Sequence, residues 1–216
     1  MTNSIARRAV LSGTAATAAA AGTLATPALA QGKAKFRMVT SWPRNSPILP
    51  ASAERIASSI STLSGGRLEF EVFHSGEAVE PFEVQDAVGN GDYDCYHSVE
   101  QYFIKKHPAF VYFSAVPFGL VPHEMSGWLK FAGGQEFWDE LAGQFGVRCL
   151  MAGSPGAQMG GWFPKPINSK EDLEGIRFRI PGAAGKVYAA AGVDTVNLPG
   201  SKLVDALFGG EIDAVE

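Results

Sequence analysis

Arg179 is the residue whose type and position best suit a binding site. It lies in the run IRFRIPG of residues 176–182, where a period of two places Arg177 and Arg179 on one face of a predicted strand. The Pro-Gly pair ends that strand, so the planar guanidinium is expected at a strand end, in a geometry suited to bidentate binding of a carboxylate. The same pattern also fits two solvated arginines on a polar strand face, and the pattern alone leaves both interpretations open.

Two further polar residues are predicted to lie at the ends of elements. Gln158 lies in the glycine-rich stretch 153–161, and Glu216 follows the apolar, strand-like residues 212–215. Taken alone, neither position indicates ligand contact strongly.

Motifs for covalent or phosphate chemistry are missing from the sequence. It contains no G-x-S-x-G, no G-x-x-x-x-G-K-[ST] and no G-x-G-x-x-G. His123-Glu124 resembles the start of a zinc motif, but the residue four positions after His123 is Gly127, so the second ligand is absent. The four histidines are scattered, and each is predicted to be a surface or packing residue: His74, His97, His107 and His123. An enzyme stays open as an alternative only if the glycine-rich stretch approaches a cofactor.

The elements that must position these residues alternate along the chain. Strand-like segments are residues 35–40, 68–73, 93–98, 149–153, 160–163, 176–180, 195–198 and 211–215. Helix-like segments are residues 50–63, 82–88, one or two within 123–145, 170–173, 185–191 and 201–208. This alternation predicts an α/β fold with mixed, mainly parallel sheets, in which ligands bind beyond the carboxyl ends of the strands.

Composition excludes several classes of protein. The chain has 216 residues, of which 46% are hydrophobic and 19% charged, so extensive disorder is not expected. Its 18 basic and 22 acidic side chains give a net charge of −4, which lacks the basic footprint of nucleic-acid binding.

The first thirty residues have the pattern of an export signal. Arg7 and Arg8 precede a weakly apolar run of Ala, Thr and Gly, and Ala28-Leu29-Ala30 forms a small-x-small cleavage site. The paired arginines indicate the twin-arginine pathway and hence the periplasm. A retained Ala-rich helix and a membrane anchor are the alternatives.

The two cysteines are too few for a disulfide framework. Cys95 and Cys149 each lie in an apolar, strand-like run, which favours buried free thiols, although an oxidising compartment would permit one bridge between them.

Eight short segments, taken in order, resemble a single protein family. They are VTSWP (39–43), SGGRL (64–68), FEVQDAV (82–88), AVPFGL (115–120), MGGWF (159–163), NSKEDL (168–173), RFRIPG (177–182) and GEIDAVE (210–216). Together they resemble the extracytoplasmic solute receptors of tripartite ATP-independent periplasmic (TRAP) transporters. The similarity is greatest to the branch that binds 2-oxo acids such as pyruvate, with relatives that bind lactate.

The resemblance implies a fold, partners and roles for individual residues. It implies a periplasmic-binding-protein-like, two-lobed receptor that closes on a small carboxylate and delivers it to the small and large membrane subunits of a permease. Arg179 matches the arginine that pairs with the substrate carboxylate, and Gln158 matches the glutamine beside it. Glu216 matches a glutamate that helps to coordinate a bridging cation, Na⁺ or Ca²⁺, for which oxygen ligands are suitable.

Such receptors are longer than this chain, so the resemblance also implies a division into a complete and an incomplete part. Residues 31–150 are expected to form lobe I, and residues 151–216 the first part of a lobe II that is truncated after Glu216. A homodimer is possible for the full-length form. The receptor of an ATP-driven importer is the alternative within the same broad class.

Overall fold

Two three-stranded parallel sheets organise the chain in the computed structural model, which describes residues 32–216. The first has the order β2-β1-β3 and the second the order β5-β4-β6. The strands are β1 Ala34–Thr40, β2 Leu68–Phe73, β3 Cys95–His97, β4 Arg177–Arg179, β5 Asp194–Val196 and β6 Ala214–Val215. The predicted α/β fold with mainly parallel sheets is thereby confirmed. The predicted export signal lies outside the described residues.

Six α-helices and four short 3₁₀ segments connect the strands in the described part of the chain. The α-helices are α1 Leu49–Leu63, α2 Val84–Gly89, α3 Pro122–Phe131, α4 Gly134–Gly143, α5 Gly182–Ala190 and α6 Leu203–Phe208. The 3₁₀ segments are Glu100–Phe103, Pro108–Phe113, Glu171–Leu173 and Gly200–Lys202. None of the helices described is long and apolar enough to span a bilayer.

The burial of β1 changes along its length because its neighbours change. Its first residues pair with β2 alone, and their side chains alternate between half-buried and exposed. Phe36 stacks on Phe70 of β2 there, with ring centroids 5.1 Å apart. From Met38 to Thr40 the strand also pairs with β3, and all three residues are buried. The carboxyl end of β1 is therefore held on both sides.

Helix α1 begins and ends as its sequence predicts. Pro50 lies in its first turn, where the missing backbone N–H costs nothing, and the chain leaves the helix through Gly65 and Gly66. These glycines have φ of 63° and 74°, in the left-handed region that glycine tolerates. The helix buries Ala53 and Ala57.

Each sheet contributes to an apolar core. The core beside the first sheet contains Val39, Val84, Phe103, Phe110 and Leu141. The core beside the second sheet contains Leu173, Ile176, Phe178, Ile180, Val193 and Ala214.

Two predicted strands are wrong. Residues 149–153 form no strand, and within 160–163 only Trp162 pairs, through an isolated antiparallel bridge to Val215. Gly161, at φ 141°, and Pro164 bracket that bridge, which interrupts extended pairing on both sides. The assignment of residues 31–150 and 151–216 to separate lobes stays a prediction.

Candidate functional site

Arg179 ends β4, the central strand of the second sheet, and is only 4% exposed. Its Nε donates to the carbonyl oxygen of Leu198 at 2.9 Å, and its Nη1 donates to the carbonyl oxygen of Glu216. These two hydrogen bonds hold the guanidinium at the carboxyl end of the sheet. The interpretation of Arg179 as a solvated surface arginine is therefore wrong.

Arg177, two residues earlier on the same face, already has a carboxylate partner. Its Nε and Nη2 reach the two oxygens of Asp213 at 2.9 and 2.7 Å, in a bidentate pair. These hydrogen bonds lower the pKa of Asp213 to about 2. The charge of Arg177 is thus compensated on its own sheet.

Glu216 is the carboxylate nearest to Arg179. Its Oε2 lies 3.7 Å from Nη1 of Arg179, too far for a hydrogen bond. Burial raises the pKa of Glu216, and the positive charge of Arg179 partly opposes that shift. An arginine has five N–H donors, so donors of Arg179 beyond its two backbone bonds are available to a further acceptor.

A tyrosine from the first sheet's side completes the surroundings of Arg179. Burial raises the pKa of Tyr102, while the charge of Arg179 and a hydrogen bond with it act in the opposite direction. The Tyr102 ring packs edge-on against Phe82, with centroids 4.8 Å apart, and lies 6.1 Å from the ring of Trp42. Arg179 therefore lies beside the 3₁₀ segment Glu100–Phe103, which follows β3 of the first sheet.

Tyr102, Phe82 and Trp42 form an aromatic wall beside Arg179. Hydrogen bonds at the carboxyl ends of β1 and β3 support this wall. Nε1 of Trp42 donates to Nδ1 of His97 at 2.6 Å. The hydroxyls of Ser41 and Ser98 are 2.7 Å apart, and the Ser41 hydroxyl also donates to the carbonyl oxygen of Pro81 at 2.6 Å.

Gln158 is not brought to Arg179. It is exposed and lies in irregular structure, and none of the hydrogen bonds of the described residues involves it. Nor do the described residues contain a group of three or more His, Cys, Asp or Glu side chains arranged to hold a metal ion. Of the predicted ligand contacts, the structure places Arg179 and Glu216 together and leaves Gln158 apart.

The sequence offers Trp42, Tyr102 and Trp162 either as an apolar wall of the ligand site or as core residues, and it predicts His97 only as a surface or packing residue. The link between His97 and the surroundings of Arg179 is therefore not predicted from the sequence. One signal could have indicated it, because Trp42 and His97 both lie at carboxyl ends of parallel strands, where ligand sites form. Trp162, by contrast, is 60% exposed.

Both cysteines are free thiols. Burial raises the pKa of Cys95 to about 11 and that of Cys149 to about 12, so neither is a thiolate at neutral pH. Sγ of Cys149 lies 3.0 Å from the hydroxyl of Tyr96.

Comparison with proteins of known sequence gives a consistent set of relatives. The monocarboxylate 2-oxoacid-binding periplasmic protein of Nostoc sp. strain PCC 7120 is 40% identical over 182 residues, covering 84% of this chain and 50% of the relative.

Solved structures give the same result for the fold. A TRAP periplasmic solute-binding protein from Pseudoalteromonas atlantica T6c, with bound sodium and pyruvate, is 35% identical with a TM-score of 0.81, over 85% of this chain and 56% of that one. The corresponding protein from Colwellia psychrerythraea, with calcium and pyruvate, is 35% identical with a TM-score of 0.80 over the same shares. One from Bordetella bronchiseptica RB50, with calcium and picolinate, is 33% identical with a TM-score of 0.81, over 86% of this chain and 55% of that one.

The chain spans about half the length of these relatives. The sequence pattern of the family "Bacterial extracellular solute-binding protein, family 7" matches residues 38–216. This range includes strands of both sheets and the surroundings of Arg179. This chain therefore belongs to that family, the DctP family of solute-binding proteins.

Proposed function

We propose that this chain is the ligand-contacting part of a TRAP solute receptor that binds a small 2-oxo monocarboxylate such as pyruvate, or lactate. The observation that carries the proposal is the buried guanidinium of Arg179, held by two backbone oxygens at the carboxyl end of the central strand of the second sheet. A ligand carboxylate would pair with the remaining N–H donors of Arg179, because the side-chain carboxylate of Glu216 lies 3.7 Å away, beyond hydrogen-bond distance. The pyruvate-bound relatives support the ligand class.

Glu216, the predicted cation ligand, has the chemistry that a bridging cation requires. Glu216 supplies a carboxylate oxygen in partly buried surroundings with a single opposite charge nearby. Na⁺ and Ca²⁺ both prefer such oxygen donors, and substrate oxygens would add to the set. Gln158 offers an amide oxygen of the right type, and its approach to Glu216 would require the irregular stretch around it to fold inward on binding.

The remaining parts of the proposal concern the cellular setting. The receptor binds its acid without transforming it and passes it to the two membrane subunits of a TRAP permease, which take it up with an ion gradient. Its place is the periplasm, reached by the twin-arginine pathway through Arg7 and Arg8. The longer form that the relatives represent is proposed to associate as a homodimer.

Calorimetric titration with pyruvate in sodium buffer tests the function. We expect saturable binding by the chain, and removal of the charged partner in Arg179→Ala should cost roughly 2 to 5 kcal/mol of binding free energy. Arg179→Lys should also bind weakly, because an ammonium group cannot reproduce the bidentate fork.

Arg177→Lys is the matched control. It lies on the same face of the same strand but is paired with Asp213, so it should bind pyruvate like the wild type. Equal affinity of Arg179→Ala and the wild type would refute the carboxylate assignment. Parallel titrations with lactate and longer 2-oxo acids, in sodium and in calcium, would rank the ligands.

A further inference from the structure

The hydrogen bond between Trp42 and His97 fixes the protonation state of the imidazole. An indole N–H is only a donor, so Nδ1 of His97, 2.6 Å away, must present a lone pair. The ring is then neutral, with its proton on Nε2. The two rings are nearly perpendicular, at 75°, with centroids 6.0 Å apart, so the contact is made edge to ring.

Trp42 transmits this contact to the candidate ligand site. Its side chain is 5% exposed and lies 6.1 Å, centroid to centroid, from the ring of Tyr102. Tyr102 in turn interacts with the guanidinium of Arg179. A hydrogen bond, a ring contact and the electrostatic interaction of Tyr102 with Arg179 therefore connect His97 on the first sheet to Arg179 on the second.

The backbone on both sides of the Trp42–His97 contact is held independently of it. The N–H of Ser41 donates to the carbonyl oxygen of His97 at 3.2 Å, and the hydroxyls of Ser41 and Ser98 are in contact. Because the two chain segments are fixed in this way, the indole orientation is the feature that depends most on the His97 acceptor.

Three titratable groups around this series of contacts respond between mildly acidic and neutral pH: His97, and the carboxyl groups of Glu100 and Glu216, whose pKa values burial raises. Cys95 shares the strand of His97, Glu100 and Tyr102 come from the following 3₁₀ segment, and Arg179 and Glu216 lie beyond Tyr102. Burial alone, with no contribution from these charges, lowers the pKa of His97 below 6.5. Nε2 of the ring carries the proton of the neutral form and has no hydrogen-bond partner within the described residues, so a second proton must go to Nδ1, where it displaces the N–H of Trp42.

We infer that His97 is a positioning residue for the ligand site. As a neutral acceptor it holds Trp42, and through Trp42 the ring of Tyr102, against Arg179, and protonation of the imidazole releases this wall and weakens ligand binding. The inference rests on the proposed function, since the affinity concerned is that for a carboxylate at Arg179.

Pyruvate titrations at neutral pH and at pH about 5 test the inference. His97→Leu removes the acceptor and should lower the affinity roughly three- to tenfold at neutral pH, the effect of one neutral hydrogen bond. His97→Asn places an amide oxygen near the position of Nδ1 and should retain most of the affinity. His123 is exposed, so His123→Asn is the matched control and should bind pyruvate with the affinity of the wild type at both pH values.

The pH profile separates positioning from a merely structural role. Below its pKa the wild type should lose the His97 contribution, whereas His97→Asn should keep its own affinity apart from the changes that protonation of Glu100 and Glu216 causes in both proteins. If the wild type and His97→Asn lose affinity in parallel, the inference is overturned.

A readout that needs no ligand distinguishes failure of this inference from failure of the proposed function. The indole ¹⁵N–¹H resonance of Trp42, assigned by its loss in Trp42→Phe, should shift as His97 titrates and should be insensitive to pH in His97→Asn. A wild type that binds no 2-oxo acid at any pH would refute the proposed function. A Trp42 resonance that ignores His97 would refute the positioning contact, whichever ligand is bound.

Discussion

The carboxyl group of Glu100 is buried in the core of the first sheet, where its residue is 5% exposed. The hydroxyl of Tyr96 lies 3.4 Å from its Oε1, and Oε2 has no hydrogen-bond partner in the described structure. Burial raises the pKa of Glu100 to about 7, against weaker opposing effects from Cys149, Tyr96 and the charge of Lys106. Near neutral pH the group is therefore close to its midpoint of titration.

This raised pKa has a definite consequence for stability. Between the ordinary value of 4.5 and about 7, the folded state binds more protons than the unfolded state, so the free energy of unfolding should fall as pH rises through this window. Glu100→Gln removes the titration and should be more stable than the wild type at pH about 8, by on the order of 1 to 3 kcal/mol.

Urea denaturation of both proteins across this pH range measures the effect. Glu140→Gln, an exposed acid on α4, is the matched control and should follow the wild type at every pH. An identical pH dependence in Glu100→Gln and the wild type would show that Glu100 does not titrate in the folded state.

At the residue scale, the sequence predicted one half of the site and not the other. Arg179 could be singled out because strand alternation and the Pro-Gly turn are local signals. Its contact with Tyr102 and the bond between Trp42 and His97 join residues far apart in sequence and depend on how two sheets pack. No local pattern contains that information. Gln158 illustrates the converse. It matches the glutamine that the resemblance assigns to the ligand site, yet the structure does not place it beside Arg179.

At the scale of elements, helix α5 packs very closely on the end of β4. Gly185 is buried in this helix, and a Cβ on it would lie 2.4 Å from the carbonyl oxygen of Ile180. The obstacle is backbone, so it cannot move aside as a flexible side chain can. The close packing of α5 helps to fix the strand end that carries Arg179.

Gly185→Ala should therefore destabilise the protein even though alanine favours helices. Overpacking of this kind costs roughly 1 to 3 kcal/mol. Gly143→Ala provides the contrast, because Gly143 ends α4 with nothing within 4 Å of an added Cβ, and that variant should be neutral or slightly more stable. Thermal unfolding of the two variants beside the wild type checks the prediction, and a Gly185→Ala protein as stable as the wild type would contradict it.

The elements themselves were predicted where periodicity and termination signals agree. Strand β2 was predicted with the bounds that the structure shows, because LEFEVF alternates strictly, and α1 was predicted to within one residue because Gly65-Gly66 ends it. Strand β6 was predicted over residues 211–215 but spans only Ala214–Val215, although the N–H of Asp213 also donates to the carbonyl oxygen of Arg177 in β4. Apolar runs such as 149–153 lack a neighbouring strand, and pairing partners cannot be deduced from one segment alone.

At the scale of the whole molecule, segments that follow strands of the first sheet approach segments that follow strands of the second sheet around the candidate site. Pro43, which follows β1, lies 4.0 Å from the position of a Cβ on Gly200. Gln101 comes closest to Gly182, the first residue of α5, where a Cβ would lie 2.9 Å from Cβ of Gln101. Tyr102 and Arg179 meet beside this contact. A ligand at Arg179 would therefore be enclosed by groups from both sheets, and its affinity should depend on this close approach.

Gly182→Ala tests this dependence. Gly182 has φ 70°, so alanine there introduces both backbone strain and a collision with Gln101. The residues whose close approach encloses the ligand would be held apart, and we expect pyruvate affinity to fall by roughly five- to thirtyfold, the equivalent of about 1 to 2 kcal/mol.

Gly192→Ala is a matched control for strain alone, because Gly192 has φ 92° and nothing within 4 Å of an added Cβ. It should lose about 1 kcal/mol of stability while binding pyruvate as the wild type does. Truncation of the obstacle in Gly182→Ala/Gln101→Gly should restore part of the affinity without restoring the stability lost to strain. Calorimetric titration and thermal unfolding of all three variants separate the two effects, and unchanged affinity in Gly182→Ala would mean that the contact between Gln101 and Gly182 plays no part in enclosing the ligand.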